Sequence, residues 1–369
     1  MLSKTIRNLE ALENLKIEAI DLLKALISTP SLSKMEDKTA DLIQAFFEGK
    51  GIKTHRKGNN IWAFNRHFDP TLPTLLLNSH HDTVKPNQGY TLDPYSPLEK
   101  DGKLFGLGSN DAGGCLVSLM ATFVYYYEKV MPVNLLIVAS AEEEISGRGG
   151  IESILSELPD LDAAIVGEPT LLKMAVAEKG LMVIDAVVNG VAGHAAREEG
   201  TNAIYETLTD LLTIKDFKFK KESPFLGPNK VSATIINAGS QHNVVPDKCT
   251  YTLDVRVTDA YTLEEAFEEL KMNLKAKLTP RSLRLKSSFI EDNHPMVLTA
   301  KKMGLEMYGS PTLSDQALIP YPSVKIGPGD SARSHTADEF IYIDELKEGI
   351  SLYVTLLENY FSITKRTTQ

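Results

Sequence analysis

The chain has 369 residues, a formal net charge of −10, 24% charged residues and 43% hydrophobic ones. The acidic balance argues against nucleic acid or an anionic membrane as the main partner, because both reward surplus positive charge. The ordinary globular mixture excludes wholesale disorder, and two cysteines, Cys115 and Cys249, cannot build a disulfide framework.

In chain order, residues 10–29 place Leu, Ile and Ala at helical spacing until Pro30, and residues 36–50 read as a second helix ended at Gly51. The amphipathic N-terminal stretch lacks the apolar core and cleavage site of a secretory signal. No stretch reaches the ~18 apolar residues of a membrane span. A cytoplasmic location is therefore expected. Short apolar runs of the buried-strand type follow: Leu75-Leu76-Leu77, residues 133–139, Ala163-Ala164-Ile165-Val166 and Val324-Lys325-Ile326. Helical patterns lie between and after them at 112–128, 147–157 and 344–361. Strands alternating with helices predict an α/β domain with a mostly parallel central sheet.

Residues 180–290 read differently. Strand-like segments at 180–189, 231–238, 249–257 and 281–289 enclose helical ones at 201–216 and 262–278. That is the strand–helix–strand–strand–helix–strand order of an α+β, ferredoxin-like unit. The expected division is one α/β domain, residues 1–179 and 291–369, interrupted by a smaller domain at 180–290.

Each apolar run of the first domain ends in metal-binding residue types. The first leads into Asn78-Ser79-His80-His81-Asp82, the second into Glu142-Glu143-Glu144. The third leads into Gly167-Glu168-Pro169, the last into Gly327-Pro328-Gly329-Asp330 and then Ser334-His335. In open parallel sheets ligands bind beyond the carboxyl ends of the strands, so four segments deliver carboxylates and imidazoles to one rim. The glycine-rich stretch 106–114 can bring Asp111 there as well. Singly, each motif has a plain structural alternative. A His-x-Asp is often a local hydrogen bond, three glutamates often a solvated helix start, and Gly-Glu-Pro a turn. Their coincidence after successive strands points to one or two divalent cations, because gathered acids repel one another without one. The mixed imidazole and carboxylate set suits Zn²⁺.

Taken together, Ser79-His80-His81-Asp82, Gly106-x-Gly-x-x-Asp111, Glu142-Glu143-Glu144, Gly167-Glu168-Pro169, Gly193-His194-Ala195-Ala196, Asn243-Val-Val-Pro246 and His335-Thr-x-Asp-Glu339 resemble the M20 family of metallohydrolases. That family includes acetylornithine deacetylases, succinyl-diaminopimelate desuccinylases, aminoacylases and carboxypeptidases. The resemblance implies a zinc-exopeptidase-like catalytic domain, an inserted dimerisation domain and a homodimer. It also implies two zinc ions per subunit, replaceable by cobalt or manganese, held by His80, Asp111, Glu144, Glu168 and His335, with Asp111 shared. His81 competes with His80 for its place. Asp82 would orient the imidazole through its other N–H. Glu143 would take a proton from an acidified water and return it to the leaving amine. His194 would stabilise the oxyanion, in its own or the partner subunit's site. A cis peptide is expected at Asn110–Asp111, and Gly113 stands where relatives often have lysine.

Asn243, Arg256 and Arg333 are candidates for binding a substrate carboxylate, although Arg256 could instead pair with Asp254. The small-molecule substrate implied is an N-acyl amino acid, first of all N2-acetylornithine in arginine biosynthesis. N-succinylornithine, N-acyl-citrulline and succinyl-diaminopimelate stay open as substrates. So do a dipeptidase and a non-catalytic binding subunit of the same fold.

Overall fold

The computed structural model describes residues 2–197 and 199–367. The chain forms two compact units, one of Met1–Val176, Ile290–Tyr308 and Ser314–Gln369, the other of Ala177–Phe289 and Gly309–Leu313.

The first unit is built on a sheet whose four inner strands run parallel: Asn134–Ser140, Thr74–His80, Ala163–Val166 and Ser323–Lys325, in that spatial order. Asn60–Phe64 flanks them antiparallel on one side and Met174–Glu178 on the other. Every residue of the inner strands is buried, which explains their continuous apolar runs. Successive residues face opposite sides. Leu75, Leu77, Leu135, Ile137 and Ile165 pack with residues of the long helices, including Leu23, Phe123, Val297 and Leu357. Leu76, Leu136, Val138, Ala164 and Val166 pack with Trp62, Ile154 and Ile319 on the other face. Each such side chain contributes roughly 1.5–3 kcal/mol on burial. Both faces being covered leaves the carboxyl-terminal rim as the place where this sheet meets ligands.

The second unit has a four-stranded antiparallel sheet in the order Lys230–Ala238, Lys248–Val257, Gly180–Asn189, Lys277–Pro280. The helices Ala203–Asp216 and Leu263–Asn273 complete the strand–helix–strand–strand–helix–strand order. Met182, Ile184, Ala186, Tyr251, Leu253 and Val255 alternate into its core. Asn202 caps the first helix through Ile204 N–H, and Thr262 with Glu265 forms a capping box on the second.

Two expected elements differ. The fourth strand of this unit lies at Lys277–Pro280 rather than 281–289, because its helix stops at Asn273 and releases the chain early. The alternation at 281–289 is a burial pattern without a ladder: Leu285 is buried, yet only Ser288–Phe289 of the segment forms a strand. Residues 147–157 form two short 3₁₀ turns, Ile151–Ser153 and Leu155–Glu157, instead of one helix. The Asn60 side chain donates to the Gly149 carbonyl at 2.6 Å, and the Ser153 hydroxyl donates to the Gly150 carbonyl at 2.7 Å. Both tie down the start of that segment.

Candidate metal centre

His80 closes its strand and is buried. Its Nδ1–H donates to the Asp82 carbonyl at 3.0 Å, with Asp82 Oδ1 at 3.3 Å. A neutral ring held this way presents the Nε2 lone pair. That nitrogen is buried without a hydrogen-bond partner. It faces Asp111 Oδ1 at 3.4 Å, Glu143 Oε2 at 3.8 Å and Glu168 Oε1 at 3.8 Å. An orphaned imidazole nitrogen ringed by three carboxylates is the surrounding a divalent cation fits.

His81 has a different place. Thr39 Oγ1 lies 2.9 Å from its Nδ1 and the Asn59 carbonyl 2.9 Å from its Nε2. Both of its nitrogens have partners, whereas His80 Nε2 has none.

The second group forms around His335, whose backbone φ is +61°. Its Nε2 lies 3.0 Å from Glu144 Oε2 and 3.5 Å from Asp111 Oδ2. Two sets of potential ligand atoms result, His80–Asp111–Glu168 and Asp111–Glu144–His335, each within 4.8 Å of one another. Asp111 belongs to both and turns one oxygen to each histidine.

The three glutamates after strand Asn134–Ser140 diverge because they form a turn, not a strand end. Glu142 has φ +54°, and Glu143–Ile145 is a 3₁₀ turn. Glu143 faces His80, whereas Glu144 faces His335. Glu142 turns back, its carboxylate accepting Gly149 N–H at 3.2 Å. Buried acids hold this backbone. Asp82 accepts Glu143 N–H at 3.0 Å and Glu144 N–H at 3.1 Å, and Glu36 accepts Glu142 N–H at 3.2 Å. Asp82 thus fixes the turn that carries Glu143 and Glu144 as well as facing His80. Glu168 is placed through Gly167, whose N–H donates to the Asn78 carbonyl at 2.7 Å and whose carbonyl accepts the Ser79 hydroxyl at 2.8 Å.

The electrostatics show a shortage of positive charge. Burial raises Glu143 well above the usual carboxylate range, and burial with the nearby Asp111 charge pushes Glu168 up to about 8. Burial opposes a charge on His80, yet Asp111, Asp82, Glu143 and Glu168 together lift it well above its ordinary value. The Glu144 hydrogen bond raises His335 to about 9. A cation in the centre relieves this strain between like charges.

The cis peptide falls at Asp111–Ala112 rather than the expected Asn110–Asp111. Neither bond involves proline, so nothing in the residue types marks which one turns. Gly113 leaves no room for a side chain: a Cβ there would lie 2.5 Å from the Gly108 carbonyl oxygen and 2.7 Å from Leu23 Cδ1.

Arg333 donates to both oxygens of Glu345, at 2.6 and 2.9 Å, and its guanidinium lies over Phe340. It therefore anchors the turn ahead of His335. His194, Asn243 and Arg256 belong to the second unit. There a two-residue ribbon joins Gly193–His194 to Val244–Val245, and Ala195 N–H donates to the Asn243 carbonyl at 3.0 Å. Arg256 pairs with Asp254 through two hydrogen bonds, at 2.9 and 3.1 Å. Sequence reasoning assigned no role to Glu36 or Glu339, whose partners lie 106 and more than 220 residues away. Only the motif ending in Glu339 marked either.

The model of peptidase family M20/M25/M40 matches residues 76–359. The chain is 29% identical to an acetylornithine deacetylase of Proteus mirabilis, over 94% of this chain and 98% of that one. It is 24% identical to a succinyl-diaminopimelate desuccinylase of Wolbachia pipientis, over 95% and 96%. Among solved structures, a dinuclear metal-binding peptidase of the M20 family from Bacillus subtilis superposes with a TM-score of 0.73 at 15% identity. That match covers 95% of this chain and 98% of that one, and it is a likeness of fold.

Proposed function

The chain belongs to peptidase family M20/M25/M40, and from that premise we propose that it removes the acyl group from an N-acyl amino acid. The proposed ligands for two zinc ions are His80, Asp111, Glu144, Glu168 and His335. The sharing of Asp111 between two ligand groups is the observation that supports this reading best.

The chain is a hydrolase acting on amides, as its family is. When bound, a pair of divalent cations supplies Lewis acidity toward an amide carbonyl and an acidified water. Of the three carboxylates around His80 Nε2, Glu143 is the one that belongs to neither ligand group. It is free to accept the water proton at a carboxylate oxygen and to deliver it to the departing amine nitrogen. Asp82 holds the Glu143 backbone so that the carboxylate does not swing away. His194 serves as oxyanion donor, with Asn243 beside it in the second unit. Arg256 and Arg333 already carry acidic partners. Their proposed role toward a substrate carboxylate therefore requires exchange of Asp254 or Glu345.

The preferred substrate is N2-acetylornithine, which would place the enzyme in arginine biosynthesis in the cytoplasm. The deacetylase of Proteus mirabilis supports this, being 29% identical over nearly the whole of both chains. The desuccinylase of Wolbachia pipientis supports succinyl substrates as the second reading. Among the described residues no helix is long and apolar enough to cross a membrane.

The test is chromatography of products from acetylornithine, succinylornithine, acetylcitrulline, succinyl-diaminopimelate and a dipeptide set, with zinc or cobalt present. Acetate and free ornithine are expected from the first. Turnover of a different member reassigns the substrate, and no turnover of any sinks the proposal.

A further inference from the structure

Asp111 has a more demanding position than the other acids of the centre, because its two oxygens face different histidines, at 3.4 and 3.5 Å. A carboxylate serving two sides works only if its backbone points it correctly. One atom grips that backbone. Glu339 Oε1 accepts Asn110 N–H at 2.8 Å and Asp111 N–H at 2.9 Å. Glu339 is only 1% exposed. Its own main chain is tied in turn, since its carbonyl accepts Gly106 N–H at 2.9 Å. It follows His335 by four residues, so one short segment sets a side chain at Asp111 Oδ2 and also fixes the main chain that carries Asp111. Asp82 holds Glu143 and Glu144 with one oxygen each.

We propose that Glu339 is a positioning residue that aims Asp111 at both ligand groups through the single acceptor Oε1. The inference rests on the reading of these groups as a metal centre. Both hydrogen bonds end on one oxygen, so acceptance and not charge is the property used. Glutamine keeps an oxygen there. Alanine removes it, and aspartate, one methylene shorter, withdraws it.

The test is a cobalt(II) titration of metal-stripped protein, followed by visible absorption, with thermal unfolding of the stripped protein in parallel. Wild type is expected to bind two ions per chain. Glu339→Ala is expected to bind both about 10–100-fold more weakly, with an altered cobalt spectrum, because outer partners of ligands act on affinity at that scale. Glu339→Gln is expected to restore wild-type affinity and spectrum. Wild-type protein that binds no cobalt overturns the metal centre and this inference with it. A normal wild type with an equally normal Glu339→Ala overturns the role of Glu339 alone, as does weakening of one ion only. Should Glu339→Ala fail to fold, Glu339→Gln decides. Wild-type affinity supports the acceptor role, and a loss as large as that expected for alanine overturns it.

Discussion

At the scale of single residues, the centre separates acids that face one another from acids that hold backbone. Asp111, Glu143, Glu144 and Glu168 crowd the two histidines, whereas Asp82, Glu36 and Glu339 accept main-chain N–H groups. The division predicts distinct phenotypes. Glu143→Gln is expected to lower kcat by about 10²–10⁴-fold, the usual worth of a general base, while two metal ions per chain remain by elemental analysis. Loss of metal in that variant would exchange the roles of Glu143 and Glu144. Glu143, Glu144 and Glu168 were legible because each follows an apolar strand in the sequence, and Asp111 because it lies in the glycine-rich stretch 106–114. The grip of Asp82 and Glu339 on the backbone, and any part for Glu36, were not. A contact between Glu36 and Glu142 spans 106 residues and leaves no local pattern. The choice between His80 and His81 was likewise closed to spacing arguments, and it turns on Thr39 and Asn59 occupying the His81 ring.

At the scale of elements, the parallel strands announced themselves by unbroken apolar runs, because a sheet covered on both faces has no polar side to show. Where burial and pairing part company the reading slipped. Leu283 packs against the core of the second unit and Leu285 is buried, but the ladder itself lies at Lys277–Pro280. The 147–157 segment shows apolar residues at helical spacing, yet side-chain hydrogen bonds at Gly149 and Gly150 govern its start. Helix Gly114–Tyr126 gives a sharper test. Its start approaches helix Leu2–Ile27 so closely that Gly113 has Leu23 against it, while Gly114 has Ile341 of strand Phe340–Tyr342 against it. Gly113→Lys is expected to cost ~1–3 kcal/mol by overpacking. Thermal denaturation of the metal-free protein would register it as a lower midpoint, and an unchanged midpoint would mean that the two helices separate freely.

At the scale of the whole molecule, ionisation and association are the measurable consequences. Without metal, acidic neighbours raise both histidines, His80 well above its ordinary value and His335 to about 9. Ligation needs the bare nitrogen, so binding must release protons. Apparent cobalt affinity is therefore expected to climb as pH rises from 6 toward 9. Calorimetry at pH 7 should give heats that depend on the ionisation enthalpy of the buffer. Buffer-independent heats would remove the histidines from the ligand set. In the second unit, Tyr205, Leu208 and Leu212 on one helix are 69%, 48% and 64% exposed, and Ile235 and Ile236 on an edge strand are each 52% exposed. Exposed apolar side chains on a helix and on a sheet's edge strand suit a second copy of the chain. Light scattering is expected to give a dimer for wild type and a monomer for Leu208→Glu with Leu212→Lys. A variant that stays dimeric would move the contact elsewhere.

The first unit is discontinuous, and this sets an order of events at the ribosome. His80, Asp111, Glu144 and Glu168 leave the exit tunnel early, followed by nearly all of the second unit, and His335 emerges only with the closing segment. On the proposed ligand set, a nascent polypeptide can offer the first ion three ligands but cannot complete the second triad. Loading of the full pair is thereby tied to finished translation, and a chain stalled or clipped ahead of residue 335 is left without the means to hold it.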